Sequence, residues 1–257
     1  MKNKIRSFIV TIVVLGFSLL AWEGIGKLLN IITSNSIQRV VSELILAIIG
    51  SVILLVFGLL RVIKPSFKGI KEGLFAGTTI IVLSALFLIS GLTGVNEHEL
   101  IPASEIILFI IEMIFIGVAE EILFRGFVLN RMYEIFGKDT YKGVLLSIVS
   151  SAVFFGIPHL LNALEPQISF GSALIQMVLV IPMGIIFGAA YHRSKRNIWL
   201  CVFLHALLDA TSLISTGILW GVTEQESIGS YNAMKIIPLL IYTGTAIWVI
   251  RKEKIMQ

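Results

Sequence analysis

Eight runs of mainly apolar residues divide this chain: 5–22, 40–60, 73–93, 104–128, 143–160, 171–191, 198–218 and 233–250. A helix that spans a bilayer needs about 20 such residues, and every run is close to that length. The chain is 56% hydrophobic and only 14% charged, against roughly 25% charged in soluble domains. The expected fold is therefore all-α: a polytopic membrane helix bundle of about eight transmembrane helices, forming a single integral-membrane domain over 1–257. No stretch is left for a large soluble domain.

Loop charges set the expected orientation. Loops on one side hold Lys2, Lys4 and Arg6, then Arg61, Lys64, Lys68 and Lys71, then Arg131, Lys138 and Lys142. The same side continues with Arg193, Lys195 and Arg196 and ends with Arg251, Lys252 and Lys254. The other side holds Lys27, Arg39 and Lys235 among acids that include Glu97, Glu99, Glu224 and Glu226. Cytoplasmic loops carry the excess of Lys and Arg, so both termini are expected in the cytoplasm. Membrane orientation also accounts for the net charge of +4, with no nucleic-acid partner implied.

Several minor features complete the reading. The first run has no small-residue cleavage site after it and is expected to be retained as a helix. Residues 23–38 are more polar and suggest a helix lying in the interface. Trp22, Tyr191, Trp199, Trp220, Tyr242 and Trp248 near the run ends fit an interfacial belt. Gly73-x-x-x-Gly77 and Gly184-x-x-x-Gly188 permit close helix approach, by internal packing or as a dimer face. Cys201, the only cysteine, excludes an internal disulfide and a cysteine metal cluster; it is expected to be a buried, inert thiol. His98 and His192 fall in loops as solvated side chains.

Ionisable residues inside the apolar runs carry the functional argument. In the fourth run stand Glu112 and the segment Glu120-Glu121-Ile122-Leu123-Phe124-Arg125. Each charge there costs about 2.5–3.5 kcal/mol to insert unless it faces the bundle interior and finds a partner. Glu121 and Arg125, four apart, share a helix face in the favourable acid-first order. Glu120, five residues from the arginine, points away from it. It is left free for another task, and Glu112 is left without a role. The fifth run closes on Phe155-Gly156-Ile157-Pro158-His159, where Pro158 frees the carbonyl of Phe154 and favours local unwinding beside a cavity. The seventh carries His205 and Asp209, four apart on one face, so the carboxylate can orient the imidazole. A single such group is ordinarily structural glue; one unpaired Glu and two His on three separate apolar helices are not readily explained by packing alone.

Helical rise tests whether they can meet. Glu120 lies about 16 Å along its helix from Arg131, and His205 about 13 Å from Arg196. His159 lies about 25 Å from Lys142 by the same rule, which places it too deep unless the fifth helix begins in the cytoplasm.

A carboxylate and two imidazoles around a wet cavity suit hydrolysis. A desolvated Glu can take a proton from water and return it, and imidazole N–H groups can hold that water or donate to an oxyanion. No Ser-His-Asp arrangement is visible, and the zinc signature H-E-x-x-H is absent. No cofactor is expected; the alternative is one zinc at Glu120, His159 and His205.

Glu-Glu-x-x-x-Arg, then Phe-x-x-x-His, then His-x-x-x-Asp on successive apolar runs resembles the CPBP family: type II CAAX prenyl endopeptidases and the Abi proteins that process bacteriocins or confer immunity to them. The similarity covers about 104–215, which it marks as the catalytic core. The resemblance implies a glutamate-type intramembrane endopeptidase of eight helices. Glu120 and His159 would position and activate water, and His205, with residue 209, would stabilise the oxyanion. Glu121 and Arg125 would support the site, as would Phe155. Family members often carry Asn at the last position. Asp209 cannot donate when ionised, so it is either protonated or orients His205. The expected substrate is a membrane-associated or lipidated protein, a bacteriocin or a signal peptide, met at the bilayer. In a bacterium the protein would lie in the plasma membrane, with its site reachable from the cytoplasm. The alternatives are a non-catalytic bacteriocin-immunity or scaffold protein, and a small transporter with Glu120 and Glu112 as a relay. The transporter reading expects inverted repeats, and none is visible.

Overall fold

The computed structural model describes residues 2–29, 35–95, 97–230 and 235–256, and among these it is helical with no strand. The helices are α1 (Lys2–Leu29), α2 (Asn35–Val56), α3 (Ile70–Ala76), α4 (Thr78–Gly94), α5 (Ala103–Glu121), α6 (Asn130–Phe136), α7 (Tyr141–Gly156), α8 (Phe170–Arg193), α9 (Ile198–Thr216), α10 (Glu224–Gly229), α11 (Ile236–Val249) and α12 (Lys252–Ile255). A π-helical segment, Ile122–Leu129, joins α5 to α6, and a 3-10 segment, Ile157–Leu164, follows α7.

Five helices are long and apolar enough to cross a membrane, or six if α3 and α4, bent by 61°, form one span. The two other expected runs fall short for visible reasons. α5 carries Glu105, Glu112, Glu120 and Glu121, and α11 has only 14 residues; residues 233–234 of the run expected there lie outside the described residues. The interfacial helix expected over 23–38 is not found in the described part: α1 runs on to Leu29 and α2 begins at Asn35, while residues 30–34 lie outside.

Local chemistry fixes where the site-bearing helices start. Thr140 caps α7, its side chain accepting from the Gly143 N–H at 3.2 Å. Asn197 caps α9, accepting from Trp199 at 3.1 Å and Leu200 at 3.3 Å. Such caps satisfy orphan N–H groups of the first turn. Gly217, at φ 106°, ends α9 in the left-handed conformation that favours glycine.

The core lies among the π segment, α7, α8 and α9, around Phe127, Phe155, Phe187, Leu204 and Ile148. Glycines bring these helices together. A Cβ on Gly184 would sit 3.0 Å from that of Ala152, and one on Gly188 2.9 Å from an Ile148 methyl. A Cβ on Gly73 would meet Leu200 and Ser194. Both small-residue motifs thus serve packing within the chain. Two residues of the expected aromatic belt are core instead: Tyr191 and Tyr242 are 0% and 2% exposed. Cys201 is buried as expected, its thiol 3.6 Å from the Phe187 carbonyl. His98 is exposed and stacks on Trp220 at 4.8 Å. His192 departs from expectation: it is half-buried at the end of α8, with Nδ1 3.0 Å from the Tyr133 hydroxyl.

Candidate active site

The centre forms where α5 gives way to the π segment. The wider turn frees backbone carbonyls, and side chains take them up. The Asn130 amide donates to the carbonyls of Arg125 at 2.8 Å and Gly126 at 2.9 Å. The Ser151 hydroxyl donates to that of Phe124 at 3.2 Å. Such π turns occur frequently at functional sites. Every residue from 121 to 130 is buried.

Arg125 is the pillar, 1% exposed. Its Nη1 donates to Glu121 Oε1 at 2.8 Å and its Nη2 to the Gly184 carbonyl at 3.3 Å. Its guanidinium carbon lies 4.5 Å from the centre of the Phe155 ring and 5.1 Å from that of Phe187. The expected pairing of Glu121 with Arg125 is therefore present, and the buried cation has aromatic faces as further neighbours.

Glu121 has a second partner that spacing alone did not reveal. His205 Nδ1 donates to the same Oε1 at 2.8 Å, which fixes the imidazole's orientation and leaves Nε2 pointing onward. Glu121 Oε2 is buried without a partner. His205 Nε2 lies 3.2 Å from Asp209 Oδ2 and 3.5 Å from Glu120 Oε2. The two latter carboxylates keep 28% and 25% of their side-chain surface open, whereas Glu121 keeps none. So Glu120 does point away from Arg125, and it comes to His205.

His159 approaches through Phe155. Its ring centre is 5.6 Å from that of Phe155, which is 5.7 Å from that of His205; both contacts are edge-on. Phe187 stacks on the other face of His205 at 5.2 Å. His159 sits within electrostatic range of Asp209 and His205. Asp209 is one turn beyond His205, about 6 Å along α9, and acts on His159. The imidazole beside Glu120 is that of His205, at 3.5 Å.

A second set of charges lies toward the other end of α5. Glu112, 3% exposed, receives a 2.7 Å hydrogen bond from Arg39 Nε of α2. Glu43 of α2 accepts from Trp22 Nε1 at 3.1 Å. Glu112 is thus anchored as an ion pair rather than left free. Among the described residues, no three His, Cys, Asp or Glu side chains are arranged to hold a metal ion.

Apolar helices long enough to cross a bilayer, packed around a carboxylate–imidazole centre, define an integral membrane protein. Residues 102–211 match the family model for type II CAAX prenyl endopeptidase Rce1-like proteins. Over that stretch, less than half of the chain, the sequence is similar to a family of endopeptidases. No curated protein matches the chain.

Proposed function

We propose that this chain is a glutamate-type intramembrane endopeptidase with Glu120 as the general base. The observation that carries the reading is the approach of Glu120 Oε2 to within 3.5 Å of His205 Nε2 at a partly open position, while the adjacent Glu121 is buried in structural pairing.

In the proposed cycle, water binds beside Glu120, with His159 completing its hydrogen bonds. Glu120 takes a proton as the water oxygen attacks the scissile carbonyl carbon. The resulting oxyanion accepts from His205 Nε2–H, whose ring Glu121 holds through Nδ1. Glu120 then returns the proton to the leaving amine nitrogen as the C–N bond breaks, giving a carboxylate and an amine. Asp209 positions His205 by accepting from Nε2 until substrate arrives. This choice fits a carboxylate at 209 better than direct donation to the oxyanion does. The proposed substrate is a peptide bond in a membrane-associated or lipidated, CAAX-like chain, or in a bacteriocin or signal peptide. The catalytic core is residues 104–215 of a single domain.

The proposed topology is eight crossings with both termini cytoplasmic and the site reached from that side. Cys201 is buried, so single-cysteine labelling reads this cleanly. Cysteines at Lys138 and Glu253 are expected to react only from the cytoplasm, and one at Glu97 only from outside.

The activity test is cleavage by purified protein in lipid, with membrane peptides compared between cells carrying the wild type and Glu120→Ala. Peptides lost in the variant identify the substrate. Full cleavage by Glu120→Ala would overturn Glu120 as the general base, and partner binding with no cleavage by either form would overturn the protease reading in favour of an immunity or scaffold protein.

A further inference from the structure

We propose that the corner where α3, α8 and α12 meet binds the phosphate of an anionic phospholipid headgroup. Arg193, the last residue of α8, is 5% exposed, and its Nε and Nη1 are buried with no hydrogen-bond partner among the described residues. A guanidinium has five donors and no acceptor, and a buried charge left unpaired is among the costliest arrangements in a protein. Its guanidinium carbon lies 5.3 Å from the centre of the Phe75 ring on α3. That contact addresses the face of the ring and leaves the N–H donors unused.

A second cation shares the same ring. Lys254 Nζ of α12 is 5.8 Å from the centre of Phe75 and 5.3 Å from that of Trp248. Two cations converging on one aromatic side chain repel each other unless an anion lies near both. Glu72 on α3 acts on Arg193 at longer range, but it is exposed and makes no ion pair with it among the described residues. Glu253 is exposed on α12, and the exposed Lys71, Arg251 and Lys252 outweigh the two acids.

The surroundings favour a lipid over free phosphate. Phe75 and Phe67 are 48% and 88% exposed, and Phe75 packs on Trp248 at 5.3 Å. The Phe75 and Trp248 rings sit beside the cations, as acyl chains sit beside a headgroup. The corner belongs to the basic-loop side of the chain, where anionic lipids gather under the positive-inside rule. A phosphodiester supplies acceptor oxygens for the N–H groups of Nε and Nη1 and a charge for Lys254.

The test is thermal unfolding of delipidated protein in neutral detergent, titrated with phosphatidylglycerol, phosphatidylcholine or inorganic phosphate. Phosphatidylglycerol is expected to raise the unfolding temperature, with the other two much weaker at equal concentration. Arg193→Gln and Lys254→Gln are each expected to move the phosphatidylglycerol midpoint upward by about tenfold, the loss of a charge-assisted contact. Lys254, half-buried at the surface, reads the site even if Arg193→Gln does not fold. Equal midpoints in wild type and Lys254→Gln would overturn the site. Equal stabilisation by phosphatidylcholine would overturn the headgroup assignment, and equal stabilisation by inorganic phosphate the lipid assignment.

Discussion

Glu121 and His205 are 84 residues apart in sequence, and His205 Nδ1 donates to Glu121 Oε1 at 2.8 Å. The same oxygen accepts from Arg125 at 2.8 Å. One buried carboxylate therefore neutralises the arginine that braces α8 and also aims the imidazole that meets Glu120. The tandem glutamates divide the work by direction: Glu121 faces inward to hold the site, and Glu120 faces the open side.

This division separates two variants of the same chemical change. Glu121→Gln leaves Arg125 buried without its counter-charge, which typically costs about 3–5 kcal/mol. It is expected to lower the unfolding temperature markedly and to lose cleavage with it. Glu120→Gln removes a partly open carboxylate while Arg125 keeps Glu121 and His205 keeps both Glu121 and Asp209. It is expected to unfold near the wild-type temperature while cleavage falls by about 10²–10⁴-fold, as for loss of a general base. Thermal unfolding and cleavage rates measured in the same detergent distinguish them. Equal destabilisation by both would remove the distinction.

Gly184 couples packing to the site. A Cβ there would approach Ala152 Cβ to 3.0 Å, its Cα to 3.1 Å and the Phe155 ring to 3.2 Å, and the Gly184 carbonyl accepts from Arg125. Gly184→Ala is expected to cost about 1–3 kcal/mol by overpacking and to slow cleavage by displacing Phe155 from the imidazoles. Gly171→Ala, whose new Cβ would meet only Ser169 Oγ at 3.7 Å, is the control and is expected to change neither.

The parts legible in the sequence were those set by local spacing. Run length located the apolar helices, and the i,i+4 rule paired Glu121 with Arg125 and placed His205 beside Asp209. What spacing could not reach was long-range pairing and departures from ideal helix. Glu121 with His205, Arg39 with Glu112 and Tyr133 with His192 join separate helices, and no periodicity encodes which faces meet. The π turn over 122–129 was hidden because Ile, Leu, Phe and Val suit either helix. Its one sequence trace is Asn130, a side chain able to satisfy the carbonyls that a wide turn frees. Tyr191 and Tyr242 were misplaced because a tyrosine near a helix end looks the same in a belt as in a core.

Glu224, on α10 outside the spanning helices, gives a pH dependence with a definite sign. Burial first, then repulsion from Glu112 and Asp209, pushes its carboxyl up from 4.5 to about 7, with Arg39 opposing and Glu120 adding to the shift. Unfolded, the group loses its proton near 4.5; folded, near 7. Between those values the folded state binds more protons, so stability falls as pH rises through this window and levels off above it. Unfolding temperatures measured from pH 4 to 8 are expected to show that decline, and Glu224→Gln is expected to reduce its slope. An unchanged slope in the variant would assign the decline to other groups.

Metal removal decides between two chemistries for the same three side chains. A catalytic zinc held by Glu120, His159 and His205 requires ligand atoms within about 2.0–2.2 Å of one point. Instead His205 directs Nε2 at Asp209 as well as Glu120, and the Phe155 ring packs edge-on against both imidazoles. Activation of water by Glu120 itself needs no metal, so cleavage is expected to persist after dialysis against a strong chelator, with no restoration on adding zinc. Loss of cleavage with recovery on zinc, together with about one zinc per chain by elemental analysis, would make Glu120 a ligand and overturn its role as base.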